Sequence, residues 1–212
     1  MQTKKRLWKV WLYLALAASL LAACTAGGRS AVETQAPGMG EAEFDQLFID
    51  MIVPYHQGAV EMAKIAQERA EHAEIQAMAD AIIAGQEEEI TQMKTWRQQW
   101  YGSGDTPPMS AMPSLEEMPG MGGTGHAMDM QADVERLKNA PEPFDLAFID
   151  AMIPHHQSAI DAARMALSKA QRSEIKELAQ KIIDAQQKEI DEMNAWRKAW
   201  YPDAPPASAP GH

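Results

Sequence analysis

The chain holds one cysteine, Cys24, and nothing else that could supply a thiolate. No intrachain disulfide can form, and any soft metal ligand in the body of the protein must be methionine or histidine. Cationic residues are also short, with 19 Lys and Arg against 30 Asp and Glu and a formal net charge of −11. That balance argues against nucleic acid as a partner and mildly favours cations. Glu-x-x-His, the pair that di-iron carboxylate bundles carry on two helices, occurs nowhere in the sequence, which counts against iron oxidase chemistry. Long apolar runs are missing except at the start, where residues 10–23 are too few for a comfortable membrane span.

That run follows Lys4, Lys5, Arg6 and Lys9, the order of a secretory signal. It ends in LAAC at 21–24, the form of a bacterial lipobox. Residues 1–23 are therefore expected to be a lipoprotein signal peptide. Cys24 is expected to be lipidated as the mature N-terminus of an exported, membrane-anchored protein on the periplasmic or cell-surface side. The alternative is an ordinary signal peptide cleaved nearby, with Cys24 incidental. Loss of the four basic residues takes the net charge from −11 to −15. Small and polar residues dominate 24–43, which reads as a flexible tether.

What the sequence does have is a repeat. Residues 44–101 and 144–201 align without a gap at a constant offset of 100, with 25 of 58 positions identical. A residue kept in both copies is tied to what the unit does. Each copy reads as a helical hairpin. In the second helix Ile75, Ala79, Ile82, Gln86, Glu89, Met93, Trp96 and Trp100 alternate steps of four and three, which lays them on one buried stripe. Ile175, Ala179, Ile182, Gln186, Glu189, Met193, Trp196 and Trp200 repeat it. The first helices carry His56 and His156 on a similar stripe, among alanines small enough to let another helix approach. Pro54 and Pro154 lie two residues earlier, predicting either a kink or the first turn of a separate helix. Two such hairpins predict an all-α, ferritin-like four-helix bundle within one chain. Hairpins pairing between two chains, an oligomer, is the alternative architecture.

A lone inward histidine is commonly a core residue satisfied by one hydrogen bond. Here His56 and His156 recur, His155 adds a third imidazole, and each seam faces Gln, Glu and Met. Glu61 and Asp161 follow five residues after the seam histidines, with Gln57 and Gln157 next to them. The candidate metal ligands in the repeats are thus His56, His155, His156, Glu61, Asp161, Glu89, Glu189, Met93 and Met193. Without cysteine a closed zinc site is disfavoured. Imidazole with thioether suits monovalent copper, and Ag(I) as a similar soft ion.

The segment between the repeats, 102–143, is rich in Met, Gly and Pro. Over 109–130 it carries Met109, Met112, Met118, Met121, Met128 and Met130 around His126, with no helical period. These seven residues are candidate soft-cation ligands in a segment that builds no core; a hydrophobic docking strip is the other reading. The Trp96, Trp100, Tyr101 and Trp196, Trp200, Tyr201 endings read as aromatic plugs of the bundle. Residues 202–212 read as a tail without regular structure.

Phe-Ile-Asp-x-Met-Ile-Pro-His-His-Gln at 148–157, followed by Ile-Ile-x-x-Gln-x-x-Glu-Ile-x-x-Met-x-x-Trp at 182–196, resembles the domain-of-unknown-function 305 family. Repeat one matches with Tyr55 in place of the first histidine. The resemblance implies a ferritin-like helical bundle in secreted bacterial proteins, some of them associated with copper binding and resistance. By position it marks His56, His155, His156, Gln57, Gln157, Gln86, Gln186, Glu89, Glu189, Met93 and Met193. The expected function is extracytoplasmic copper sequestration or transfer without catalysis, with a copper-handling partner protein as donor or acceptor. The alternatives are a ferritin-like oxidase and a structural envelope protein whose polar core only sets helix register.

Overall fold

A computed structural model describes residues 41–108 and 130–206. The signal, Cys24, nearly all of the tether, Met109, Met112, Met118, Met121, His126 and Met128 lie outside these residues, as does the side chain of Met130. The fold is all-α. Its helices are α1 (Glu41–Arg69), α2 (Ala73–Tyr101), α3 (Met130–Lys138), α4 (Phe144–Lys169) and α5 (Ser173–Trp200). None is long and apolar enough to cross a membrane.

The helices α1 and α2 form one hairpin, α4 and α5 the other, and the hairpins meet through α1 and α4. Pro54 and Pro154 each lie inside one continuous helix, so neither starts a second one. After Pro154, the Ser158 hydroxyl donates to the proline carbonyl at 3.0 Å. The core falls into two clusters that cross between repeats. Phe44, Phe48, Ile49, Met51 and Ile52 of early α1 pack with Ala159, Ala163, Ala166 of late α4 and with Ile175 and Ile182 of α5. The reciprocal cluster joins Phe144, Phe148, Ile149 and Met152 to Ala59, Ala63, Ala66, Ile75 and Ile82. Large side chains of one helix start therefore fill the space that the other helix's alanines leave. The two repeats are related by an approximate two-fold axis between α1 and α4. Tyr55 and His155, equivalent positions, meet on it with ring centroids 3.9 Å apart.

The same symmetry governs the turns. His72 and Arg172 precede α2 and α5 in extended conformation, and neither caps its own helix with its side chain. The donors at the turn are met from the opposite repeat. Asp145, 1 % exposed, accepts from the N–H groups of Glu71 at 3.1 Å and His72 at 2.9 Å. Asp45, also 1 % exposed, accepts from Gln171 and Arg172, both at 3.0 Å. Above each cap the flat group at position 72 or 172 lies on a tryptophan. The His72 ring stacks on Trp200 at 3.8 Å, and the Arg172 guanidinium covers Trp100 at 3.9 Å. Trp96 and Trp196 continue these stacks. The half-buried aromatic endings thus clamp one repeat to the other as well as closing the seam. Within each hairpin Arg97 pairs with Asp50 and Arg197 with Asp150, tying the end of the second helix to the first.

One element has no counterpart. Inside the Met/Gly/Pro-rich linker expected at 102–143, residues 130–138 form α3, with Val134 and Leu137 buried in the second cluster. Arg69 receives the end of this helix. Its guanidinium donates to the carbonyls of Leu137, Lys138 and Ala140 and lies 4.4 Å from the Phe144 ring centroid. The period was missed because α3 is short and only two of its residues face the core.

Candidate metal centre

The seam histidines are fully enclosed, with His56 and His156 both at 0 % exposure. The second helix of each hairpin brings a glutamate to them. His56 Nε2 is 2.8 Å from Glu89 Oε2 in hydrogen-bond geometry. His156 Nε2 is 2.7 Å from Glu189 Oε2 at ion-pair distance but without hydrogen-bond alignment. The glutamate side chains reach solvent, at 20 % and 19 % exposure. One turn earlier Gln86 and Gln186 are buried, and Met93 and Met193 lie at 0 % exposure in the two core clusters.

His155 precedes the seam by one position, yet it is buried at 6 % exposure. The Tyr55 ring stacks on it with planes 23° apart, and the Tyr55 hydroxyl donates to the His155 carbonyl at 2.8 Å. Burial lowers the His155 pKa well below the usual histidine value, and the neighbouring His156 and His56 add to the shift. Its imidazole is neutral at physiological pH. Burial pushes the Tyr55 phenol up, so it stays a protonated donor. Tyr55 was read only as a departure from the motif. In the structure it orients the third imidazole, because the two-fold relation brings equivalent positions face to face.

Among the described residues, the buried side-chain polar atoms without a hydrogen-bond partner are His56 Nδ1, both ring nitrogens of His155, both of His156, and Oε1 of Gln86 and Gln186. All but those of His155, whose counterpart is Tyr55, lie on residues kept in both repeats. An unpaired buried polar group ordinarily costs about 1–3 kcal/mol, and such groups call for an explanation such as a bound ion.

Other predicted residues stand elsewhere. Glu61 and Asp161 are exposed, and Asp161 accepts from Gln157 and Arg164 at the surface. Gln57 and Gln157 are exposed too. Steps of five (Glu61, Asp161) and of one (Gln57, Gln157) from an inward position carry the side chain off the inward stripe of a helix, so this quartet is not part of the buried group. Among the described residues no three His, Cys, Asp or Glu side chains group as a metal site. The described histidines and glutamates therefore do not close a tetrahedral zinc-type site, and a soft site here would need sulfur beside imidazole. Asp45 and Asp145, kept in both copies, precede the apolar seam stripes and lie outside the family motif, so the sequence pattern does not single them out.

The profile of the domain of unknown function DUF305 matches residues 45–204. The chain belongs to this family. Among solved structures it is similar to CopM in the Cu(I)-bound form, 37% identical with a TM-score of 0.61, covering 74% of this chain and 97% of that one. CopM has also been solved in Cu(II)-bound and Ag-bound forms, at 39% and 38% identity. A DUF305 fragment from Deinococcus radiodurans matches at 28% identity and a TM-score of 0.56, over 72% of this chain and 93% of that one. A 51-residue stretch is 41% identical to uncharacterized protein L153 of Acanthamoeba polyphaga mimivirus, spanning 24% of this chain and 34% of that relative. The chain thus covers about a third of that relative's length.

Proposed function

We propose that the protein is an exported, lipid-anchored binder of soft metal cations that sequesters or transfers copper as Cu(I), with Ag(I) as an equivalent cargo. The observation that carries this reading is the set of unpartnered nitrogen and oxygen atoms on His56, His155, His156, Gln86 and Gln186. The metal-bound forms of CopM, a relative of the same fold, support copper and silver as the cargo. Buried imidazoles with Met93 and Met193 also buried in the core are the residue types that a monovalent soft ion accepts. The methionines of 109–130 would add a thioether array for capture or hand-over, in exchange with a copper-handling partner protein. Titration with Cu(I) under reducing conditions tests the reading. Stoichiometric binding without turnover supports it, turnover favours a ferritin-like oxidase, and no binding leaves an envelope protein with a polar core.

Two further expectations belong to this proposal. Replacing Met109, Met112, Met118, Met121, Met128 and Met130 with leucine should lower the number of Cu(I) ions bound while helicity, read by circular dichroism, stays nearly unchanged. Unaltered copper stoichiometry would remove the thioether array from the function. Cys24→Ala should release the protein from the membrane fraction or leave it unprocessed. Normal processing with full membrane retention would refute the lipobox.

A further inference from the structure

We infer that Glu89 and Glu189 are positioning residues rather than ligands, and that the atom each seam histidine offers to a cation is Nδ1. This rests on the soft-cation reading above and specifies which atoms carry it. An ionised carboxylate can only accept hydrogen bonds. The contact between His56 Nε2 and Glu89 therefore makes Nε2 the donor. Nδ1, which is buried and has no protein partner, is the nitrogen left to offer a lone pair. His156 Nδ1 is buried and unpartnered in the same way, with Glu189 again beside Nε2.

Three observations separate this arrangement from an ordinary core histidine. A core histidine satisfied by a carboxylate commonly places its second nitrogen against a protein carbonyl, and here no protein group meets it in either copy. The glutamates are the part-exposed members of each pair, while the imidazoles are at 0 % exposure. Solvent therefore reaches the carboxylates before it reaches the imidazoles. Finally, the remaining unpartnered atoms, on His155, Gln86 and Gln186 together with His156 Nε2, which lies at ion-pair distance from Glu189 without hydrogen-bond alignment, are buried as well. A metal-bound imidazole generally gives its other N–H to a carboxylate, which fixes the tautomer and raises the basicity of the ligating nitrogen. The sequence reading had counted Glu89 and Glu189 as ligands themselves.

The test is nitrogen-15 NMR of the full chain labelled at histidine and titrated with Ag(I), whose nuclear spin splits the signal of a directly bonded nitrogen. Splitting at Nδ1 of His56 and His156, with their Nε2 protons retained, is the expected result. Splitting at Nε2 with loss of that proton would make the cation displace the glutamates and would overturn the inference, while leaving the soft-cation reading intact. No splitting at any histidine, on a protein of native helicity that also binds no Ag(I), would overturn both. Variants supply the second measurement. Glu89→Gln with Glu189→Gln keeps an acceptor at Nε2 and should hold Ag(I) at Nδ1 with little change in affinity. The paired alanine variants should lose affinity by about 10–100-fold, with both tautomers present in the metal-free spectrum. Equal affinity in the glutamine and alanine pairs would rule out positioning.

Discussion

Replacing Asp45 and Asp145 together with alanine is expected to bring the bundle close to unfolding. Each carboxylate is at 1 % exposure and accepts two N–H groups from the turn of the other repeat. Truncation to alanine removes the acceptor and gives the donors no replacement. Those contacts are part-buried, so each lost partner should cost about 1–2 kcal/mol, the lower part of the range for unsatisfied groups. Four donors then amount to about 4–8 kcal/mol, against a typical total stability of about 5–15 kcal/mol. Asp145→Ala should be the more damaging single change, because Asp145 also holds the His72 ring at 2.6 Å from Nδ1. Asparagine at either position keeps one good acceptor and should lose about half as much. Urea unfolding followed by circular dichroism measures each loss. A double alanine variant weakened by less than about 1 kcal/mol would show that water meets these N–H groups once the carboxylates are gone.

The second large effect is on metal-linked stability. A variant with His56, His155 and His156 all changed to leucine, in a background lacking the linker methionines, should show no rise in melting temperature on adding Cu(I). The parent with only the linker methionines removed should still show the rise. Binding to the folded state stabilises by about 4 kcal/mol when free ligand is about 1,000 times Kd. In a chain of this size that corresponds to about 8–16 °C. The metal-free triple variant should be as stable as its parent or more so. It replaces buried polar rings, in which His56 Nε2 has a hydrogen-bond partner and the other ring nitrogens have none, by apolar groups of comparable size, which is often neutral or stabilising by about 1 kcal/mol or more. Loss of the copper response together with a gain in metal-free stability is a pattern that simple core damage cannot produce. A full copper-induced shift in the triple variant would place the site elsewhere.

The helices, their duplication and the inward direction of His56 and His156 were all legible without coordinates. They follow from local rules: apolar residues at steps of three and four mark a buried face, and an offset of 100 marks a repeated unit. The Gln86 and Glu89 positions on the facing stripe were legible for the same reason. Local periodicity does not say which helix lies against which, or in what direction. Glu61 and Asp161 were grouped with the histidines by closeness in sequence, and helical rotation carries them to the surface instead. Residues 130–138 gave too short a pattern to separate a helix from a linker, and the packing of Val134, Leu137 and the reach of Arg69 decided it.

Everything that depends on the two-fold pairing of the repeats was beyond the sequence. Asp45 and Asp145 are identical in both copies, but their task, capping a turn 126 or 74 residues away, exists only once α1 and α4 cross. Tyr55 and His155 look like a substitution in a motif, and they become a stacked pair because the axis passes between them. The residue types and helix faces of the centre were determined by sequence, since amphipathicity is a local property. The buried nitrogen atoms, the solvent-reaching carboxylates and the third imidazole were decided by tertiary structure, because only the packing of two hairpins sets which polar atoms lose their water and which gain a partner.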